Sequence, residues 1–194
     1  MQLILASQSA RRKEILNYFT LPFEQISSDF DESIVPFTGN PETYVSTLAL
    51  EKASALTAQY PNAAILGADT IVYRHGKVYG KPRNEEDAIA TLTELSGEWH
   101  SVYTGVALCY NGVKYHQSEE TRVLFNRLTP QQISEYHSKL HLYDKAGSYQ
   151  LQMAGGLIVK KIDGCYYNVI GLPINTVRKL LQEIDIELWN YLQK

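Results

Sequence analysis

Cysteine is scarce in this sequence, and the two that occur, Cys109 and Cys165, show no Cys-x-x-Cys spacing. Neither a disulfide framework nor a zinc site is readable from them. Both sit in apolar, strand-like stretches, the setting of buried free thiols in a reducing compartment. Charge of one sign is lacking too: 18 Lys+Arg against 21 Asp+Glu leave a formal charge of −3, and nowhere do five like charges run together. That excludes the electrostatic footprint of a protein that grips a nucleic acid polymer, and it confines any phosphate ligand to a small molecule. No apolar run approaches the length of a membrane span. The opening Met1–Ala6 is too short for the core of a signal peptide and meets Arg11 and Arg12 on the wrong side. A cytoplasmic protein without membrane contact is expected.

What is present describes an ordinary globular chain. The 194 residues are 44% apolar, with 12 Gly and 7 Pro, which excludes collagen, coiled coil and disorder. A chain of this length buries roughly 70% of the surface its unfolded form exposes, so it needs no disulfide or structural metal and can support a deep cleft. No repeat, low-complexity tract or linker divides it, and a single domain over 1–194 is expected.

Periodicity and turn chemistry outline the elements. Leu3–Ala6 reads as a strand and Ala10–Phe19 as a helix capped by Ser9. Asn40-Pro41 announces a helix reaching about Tyr60, and Ala63–Tyr73 has the near-continuous apolar character of a strand buried on both faces. A turn at Arg74–Lys77 leads to Val78-Tyr79, then Asn84 caps a helix to about Leu95. Trp99–Tyr110 and Val113–Leu124 form a hairpin about Asn111-Gly112. Thr129-Pro-Gln-Gln132 opens a helix to about Ser138, Ile158–Ile162 and Tyr166–Ile170 suggest a second hairpin, and Asn175 caps a last amphipathic helix. The expected fold is α/β, with a mixed sheet rich in hairpins rather than a plain doubly wound sheet.

Six features carry chemistry. Ser7-Gln-Ser-Ala-Arg-Arg12 joins a strand to a helix through two hydroxyls and presents two guanidiniums. A helix terminus with arginine forks suits phosphate oxygens, yet the same pattern fits a routine cap followed by two solvated arginines. Asp69 interrupts an apolar strand, where a carboxylate is stable only if paired, metal-bound or facing a cleft. The cluster Asp29-Phe-Asp31-Glu32 would alone be a solvated loop; across a cleft from Asp69 it would complete a hard-oxygen site for Mg²⁺ or Mn²⁺. Lys52 lies on the apolar stripe of its helix and by itself reads as a snorkelling lysine. Lys81, fixed between Gly80 and Pro82, fits a phosphate contact or a simple turn, and Asp144–Gln152 reads as a loop entering a strand with Gln150 and Gln152 on one face. A carboxamide such as Gln152 can pair with the polar edge of a base. Together these residues point to a metal-dependent phosphoanhydride hydrolase without identifying the bond.

Eight motifs in order make the chain resemble the Maf family of nucleotide pyrophosphatases over nearly its whole length. They are Leu5–Leu16, Asp31-Glu32, Glu51-Lys-Ala53, Gly67-Ala-Asp-Thr70, Gly80-Lys-Pro82, Tyr103-Thr-Gly105, Asp144-Lys-Ala-Gly147 and Gly171-Leu-Pro173. The resemblance implies a Maf/inosine-triphosphatase-like mixed sheet flanked by helices, with two lobes around a central cleft. It implies hydrolysis of a nucleoside triphosphate to monophosphate and diphosphate, with Asp69 as proton acceptor, Glu32 and Asp69 as ligands of a divalent metal, and Ser7, Arg12, Lys52 and Lys81 as phosphate-binding residues. Arg11, Thr70 and Gln152 match the branch acting on dTTP and UTP; the 7-methylguanosine-triphosphate branch typically carries Trp, Gln and Glu there. Family habit also implies a homodimer. Ala10 replaces a usual proline, Gln150 a usual small residue and Met153 a common glycine, and the last two flank Gln152, leaving dTTP, UTP, CTP and modified pyrimidine nucleotides unordered as substrates. Two alternatives remain at this point: a pyrophosphatase for noncanonical purine triphosphates, and a noncatalytic nucleotide-binding regulator of cell division.

Overall fold

A computed structural model describes residues 1–143 and 145–193; Asp144 of the Asp144–Gly147 motif lies outside the described residues. The strands are β1 (Leu3–Ala6), β2 (Glu24–Ile26), β3 (Ala64–Arg74), β4 (Lys77–Tyr79), β5 (Trp99–Tyr110), β6 (Val113–Phe125) and β7 (Val159–Asp163). The helices are α1 (Ala10–Leu16), α2 (Pro41–Ser54), α3 (Glu85–Leu95), α4 (Pro130–Leu140), α5 (Tyr166–Val169) and α6 (Ile174–Gln182). The seven strands form one mixed sheet in the order β2-β1-β3-β5-β6-β7, with β4 paired to β3. The mixed α/β fold is therefore as expected. The chain partitions into two compact units, 1–69 with 104–119 and 171–194, and 70–103 with 120–170.

In the first unit β1 runs parallel to both β2 and β3, with Leu3 to Ala6 in register with Ala64 to Gly67. Its four residues are fully buried, as a parallel strand covered on both faces requires. Ala49 and Ala53 of α2, with Leu56 just beyond its end, pack on Ile4, Ala6, Ile65, Ala107 and Cys109. The start of α2 is set by Asn40, whose side chain accepts from Thr43 N at 3.0 Å, followed by Pro41 at the first helical position. Small residues on this helix face let it approach the strands closely, which matters for the site below.

The second unit closes around Phe125, Val123, Leu92, Leu95, Ile133 and Tyr149. Asn84 accepts from Asp87 N at 2.8 Å to start α3, and Thr129 with Gln132 forms the capping box of α4. The turn Asn111-Gly112 has φ of 50° and 78°, the two left-handed residues that a tight two-residue connection demands.

Several expectations fail locally. Tyr166–Val169 is a short helix, not a returning strand. Thr121 Oγ1 accepts from Cys165 N at 3.0 Å, and Asn168, fully buried, donates to Val102 O and to Thr121 Oγ1 at 2.9 Å each. Those side-chain bonds hold the chain in a turn where an apolar run of this length would equally have suited a strand. Cys165 consequently precedes a helix and is half-buried, whereas Cys109 is a buried strand cysteine, and neither is joined in a disulfide. Helix α6 starts after Pro173 without a side-chain cap, so Asn175 lies inside it. Strand β2, three residues long, was too short to show alternation. Residues 149–157 form no strand: Gly147, Ser148 and Met153 all take positive φ, and Tyr136 OH holds the Gln150 backbone at 3.3 and 3.4 Å.

His100 is a further element of the second core, stacked edge-on between Phe125 and Tyr149, with Nε2 3.0 Å from Tyr149 OH. Burial lowers its pKa from 6.5 to about 4, against a smaller upward pull from the Glu98 backbone. The unfolded chain thus binds a proton between these values that the native state does not. Stability from this residue is complete above about pH 6.5 and is lost as pH falls toward 4, by up to about 3 kcal/mol. Urea unfolding at pH 7 and pH 4.5 should show a larger acid loss for the parent than for His100→Gln, whose side chain does not titrate. Equal losses would remove His100 as the acid-sensitive group.

Candidate functional site

The first unit gathers most of the polar residues singled out in its sequence. Strand β3 is apolar from Ala64 to Ala68 and then places Asp69, 6% exposed, among those walls. The partner is Lys52, 8% exposed, one of the last residues of α2. Its Nζ lies 2.5 Å from Asp69 Oδ1 and 2.7 Å from Glu32 Oε1, so one ammonium bridges two carboxylates. Lys52 does not snorkel, contrary to the reading of its stripe: the charge turns inward because a buried carboxylate waits there. Glu32 comes from the loop after β2, where Asp31 Oδ1 accepts from Ser33 N at 2.9 Å and opens a single 3₁₀ turn over Glu32–Ile34. Its side chain remains half-exposed.

Arg12 provides the second cation. Ser9 caps α1 by accepting from Arg12 N at 3.4 Å, and the guanidinium folds back, donating from Nε to Gly171 O at 2.8 Å and from Nη1 to Ser7 Oγ at 3.2 Å. Ser7, 8% exposed, also accepts from Ser9 N at 3.2 Å. Arg12 is thus a fixed side chain rather than a solvated first-turn arginine. Burial lowers its pKa, with Asp69 opposing and Arg11 adding to the fall. The adjacent Arg11 is half-buried.

Asp69 itself is raised above the ordinary carboxylate value. Burial is the main cause and Glu32 adds to it, while the charges of Lys52 and Arg12 and the hydrogen bond from Lys52 hold it down. Burial also raises the Tyr44 phenol on α2, and Asp69 and then Glu32 push it further. Tyr44 and the Gly171 carbonyl are site features that the residue patterns did not single out as side-chain chemistry; Tyr44 lies two turns before Lys52 on the same stripe, the one signal that could have found it.

The remaining candidates belong to the second unit. Thr70 is half-buried in β3, and Lys81 is exposed in the bend after β4, where Gly80 O accepts from Gly147 N at 3.1 Å. Gln152 is half-buried and precedes a 3₁₀ turn, Met153–Leu157, in which its carbonyl accepts from Gly155 N at 3.0 Å. Met153 stands 91% exposed with φ of 53°. A left-handed backbone at a side-chain-bearing residue is the conformation that a glycine would adopt freely.

Breaking the buried pair from the cationic side should be costly. Lys52→Ala strips buried Asp69 of its nearest countercharge, a loss of about 3–5 kcal/mol near neutral pH. Removing Lys52 raises Asp69 further, so the variant's native state takes up a proton that the unfolded chain lacks, and the deficit shrinks as pH falls. Urea unfolding of parent and variant at pH 7.5 and pH 5 checks this; a deficit that does not narrow on acidification contradicts it.

The family described as Maf-like protein matches residues 2–184. A protein of Chlamydia felis named dTTP/UTP pyrophosphatase is 46% identical over 98% of both chains. One of the same name from Clostridium perfringens is 42% identical over 97% of this chain and all of its own. Among solved structures, the Staphylococcus aureus Ham1 protein has the same fold at 12% identity and a TM-score of 0.53, covering 95% of this chain and 100% of its own. With its ordered motifs, a match over nearly its full length and relatives above 40% identity, the chain belongs to the Maf-like protein family.

Proposed function

We propose that the protein is a nucleoside triphosphate pyrophosphatase that hydrolyses pyrimidine nucleotides, dTTP and UTP before CTP and modified pyrimidines, at the α–β phosphoanhydride. The observation that carries this reading is Asp69, buried and held by Lys52 beside the Arg12–Ser7 pair. Relatives named dTTP/UTP pyrophosphatase at 42–46% identity support the substrate class, and Arg11, Thr70 and Gln152 support the branch by resemblance. Two cysteines outside any disulfide fit a cytoplasmic setting.

The chemistry follows from the residues. Burial moves Asp69 toward the range in which a carboxylate takes a proton efficiently. It accepts the proton of a water whose oxygen bonds to the α-phosphorus, while the bond from that phosphorus to the bridging oxygen breaks and diphosphate departs with the electron pair. Arg12 and Lys52, with Lys81 by resemblance, offset the charge that builds on the departing group. Ser7 orients the Arg12 fork. Among the described residues no cluster of three or more His, Cys, Asp or Glu forms a complete metal cage. Glu32 and Asp69 nevertheless fit Mg²⁺ or Mn²⁺, which take one or two carboxylates and fill their remaining positions with phosphate oxygens and water. When bound, such an ion would polarise the phosphate oxygens.

Diphosphate release from dTTP, UTP, CTP, modified pyrimidine triphosphates, ITP and 7-methylguanosine triphosphate, with Mg²⁺ or Mn²⁺ and with chelator, tests the reading. The expected result is turnover led by dTTP or UTP and lost on chelation. A preference for the methylated purine would transfer the protein to the other branch, and nucleotide binding without turnover would make it a regulator. Asp69→Asn should keep its fold and lose about 10²–10⁴-fold in kcat; parental turnover would remove Asp69 from the mechanism.

A further inference from the structure

The Lys52–Asp69 contact depends on how near α2 lies to the sheet, and two glycines set that separation. Side chains alternate along a strand, so Gly67 and Asp69 share one face of β3. A Cβ at Gly67 would collide with the Ala49 carbonyl oxygen and would stand 3.0 Å from Ala53 N and 3.1 Å from Ala53 Cβ. At Gly105 on β5 a Cβ would collide with the Val45 carbonyl and stand 2.7 Å from Ser46 N. Val45 and Ala49 are successive turns of α2, so at both glycines the nearest part of the helix is its backbone. Lys52 follows Ala49 by three residues and precedes Ala53, which places it directly over the Gly67 contact. Backbone atoms cannot rotate away as a flexible side chain would, so any larger residue at 67 must lift α2.

We infer that Gly67 and Gly105 are positioning residues, whose missing side chains seat α2 on β3 and β5 so that Lys52 reaches Asp69. The hydrolytic consequence rests on the function proposed above; the seating itself does not. Gly67 acts at the turn that carries Lys52, whereas Gly105 acts seven residues earlier, about 10 Å along the helix. The effect of a methyl group is therefore graded, larger at 67 than at 105.

Gly67→Ala and Gly105→Ala, assayed on dTTP, should lose kcat with little change in KM, by about 100-fold for Gly67→Ala, the scale of an ångström misplacement of a catalytic group, and by less for Gly105→Ala. Lys52, resistant to an amine-acylating reagent in the parent, should become as reactive as the exposed lysines in Gly67→Ala, read by peptide mass analysis. A folded Gly67→Ala with parental kcat and a protected Lys52 would overturn the inference. Should Gly67→Ala fail to fold, Ala53→Val pushes at the same contact from the helix side and is judged by the same two readouts. If the parent hydrolyses no nucleoside triphosphate, the functional reading falls alone, because Lys52 acylation still decides the seating: a Lys52 as reactive in the parent as the exposed lysines overturns it.

Discussion

One ammonium group held against a buried carboxylate organises the first unit. Asp69 ends the apolar run Ala64–Ala68 of β3 and is buried there, where an isolated carboxylate would be driven to protonate. Lys52 makes an ionised Asp69 tenable, and to do so the end of α2 must lie over β3, with the loop after β2 near enough for Glu32 to take the other side of the ammonium. Arg12 adds a second positive charge, itself anchored by Ser7 and by the Gly171 carbonyl at the approach to α6. Five segments spread along the sequence are thus tied to a single group of charges.

The two arms of the Lys52 bridge are physically unequal. The arm to Asp69 joins two groups withdrawn from water, where attraction is weakly screened and loss of one partner strands the other. The arm to Glu32 reaches a half-exposed side chain on a 3₁₀ turn, where solvent screening leaves little net stabilisation. In the proposed function an arriving phosphate would compete with the weaker contact first. Such an asymmetry would let the site keep the proposed base fixed while exchanging the outer carboxylate for a ligand.

The sequence was most legible where one local rule acted alone. Asn40-Pro41, Asn84 and Thr129-Pro-Gln-Gln132 started helices as capping chemistry demands, Asn111-Gly112 made its turn, and Asp69 was conspicuous as one acid in an apolar run. Legibility failed where distant side chains decided the backbone. Tyr166–Val169 became helical because Thr121 and Asn168 bind that turn from inside, and 149–157 stayed irregular because Tyr136 and three positive-φ residues hold it. The inward turn of Lys52 was hidden for the same reason: an apolar helical stripe does not record what charge faces it across the fold.

In the proposed function, chemistry and selectivity stand on different kinds of backbone. Asp69 and Lys52 are carried by a central strand and a helix seated on it, where packing fixes atoms to within tenths of an ångström and substitution is felt at once. Gln152 instead precedes a short 3₁₀ turn beside Met153, which is exposed and strained in a conformation natural to glycine. Side chains on such a segment can change without disturbing either core, because few of their atoms are packed. A fold built this way can retain one hydrolytic centre while the residues around position 152 diverge. On that proposal, a charged cluster that resembles the family's motifs and neighbours of Gln152 that depart from them would belong to one chain without conflict.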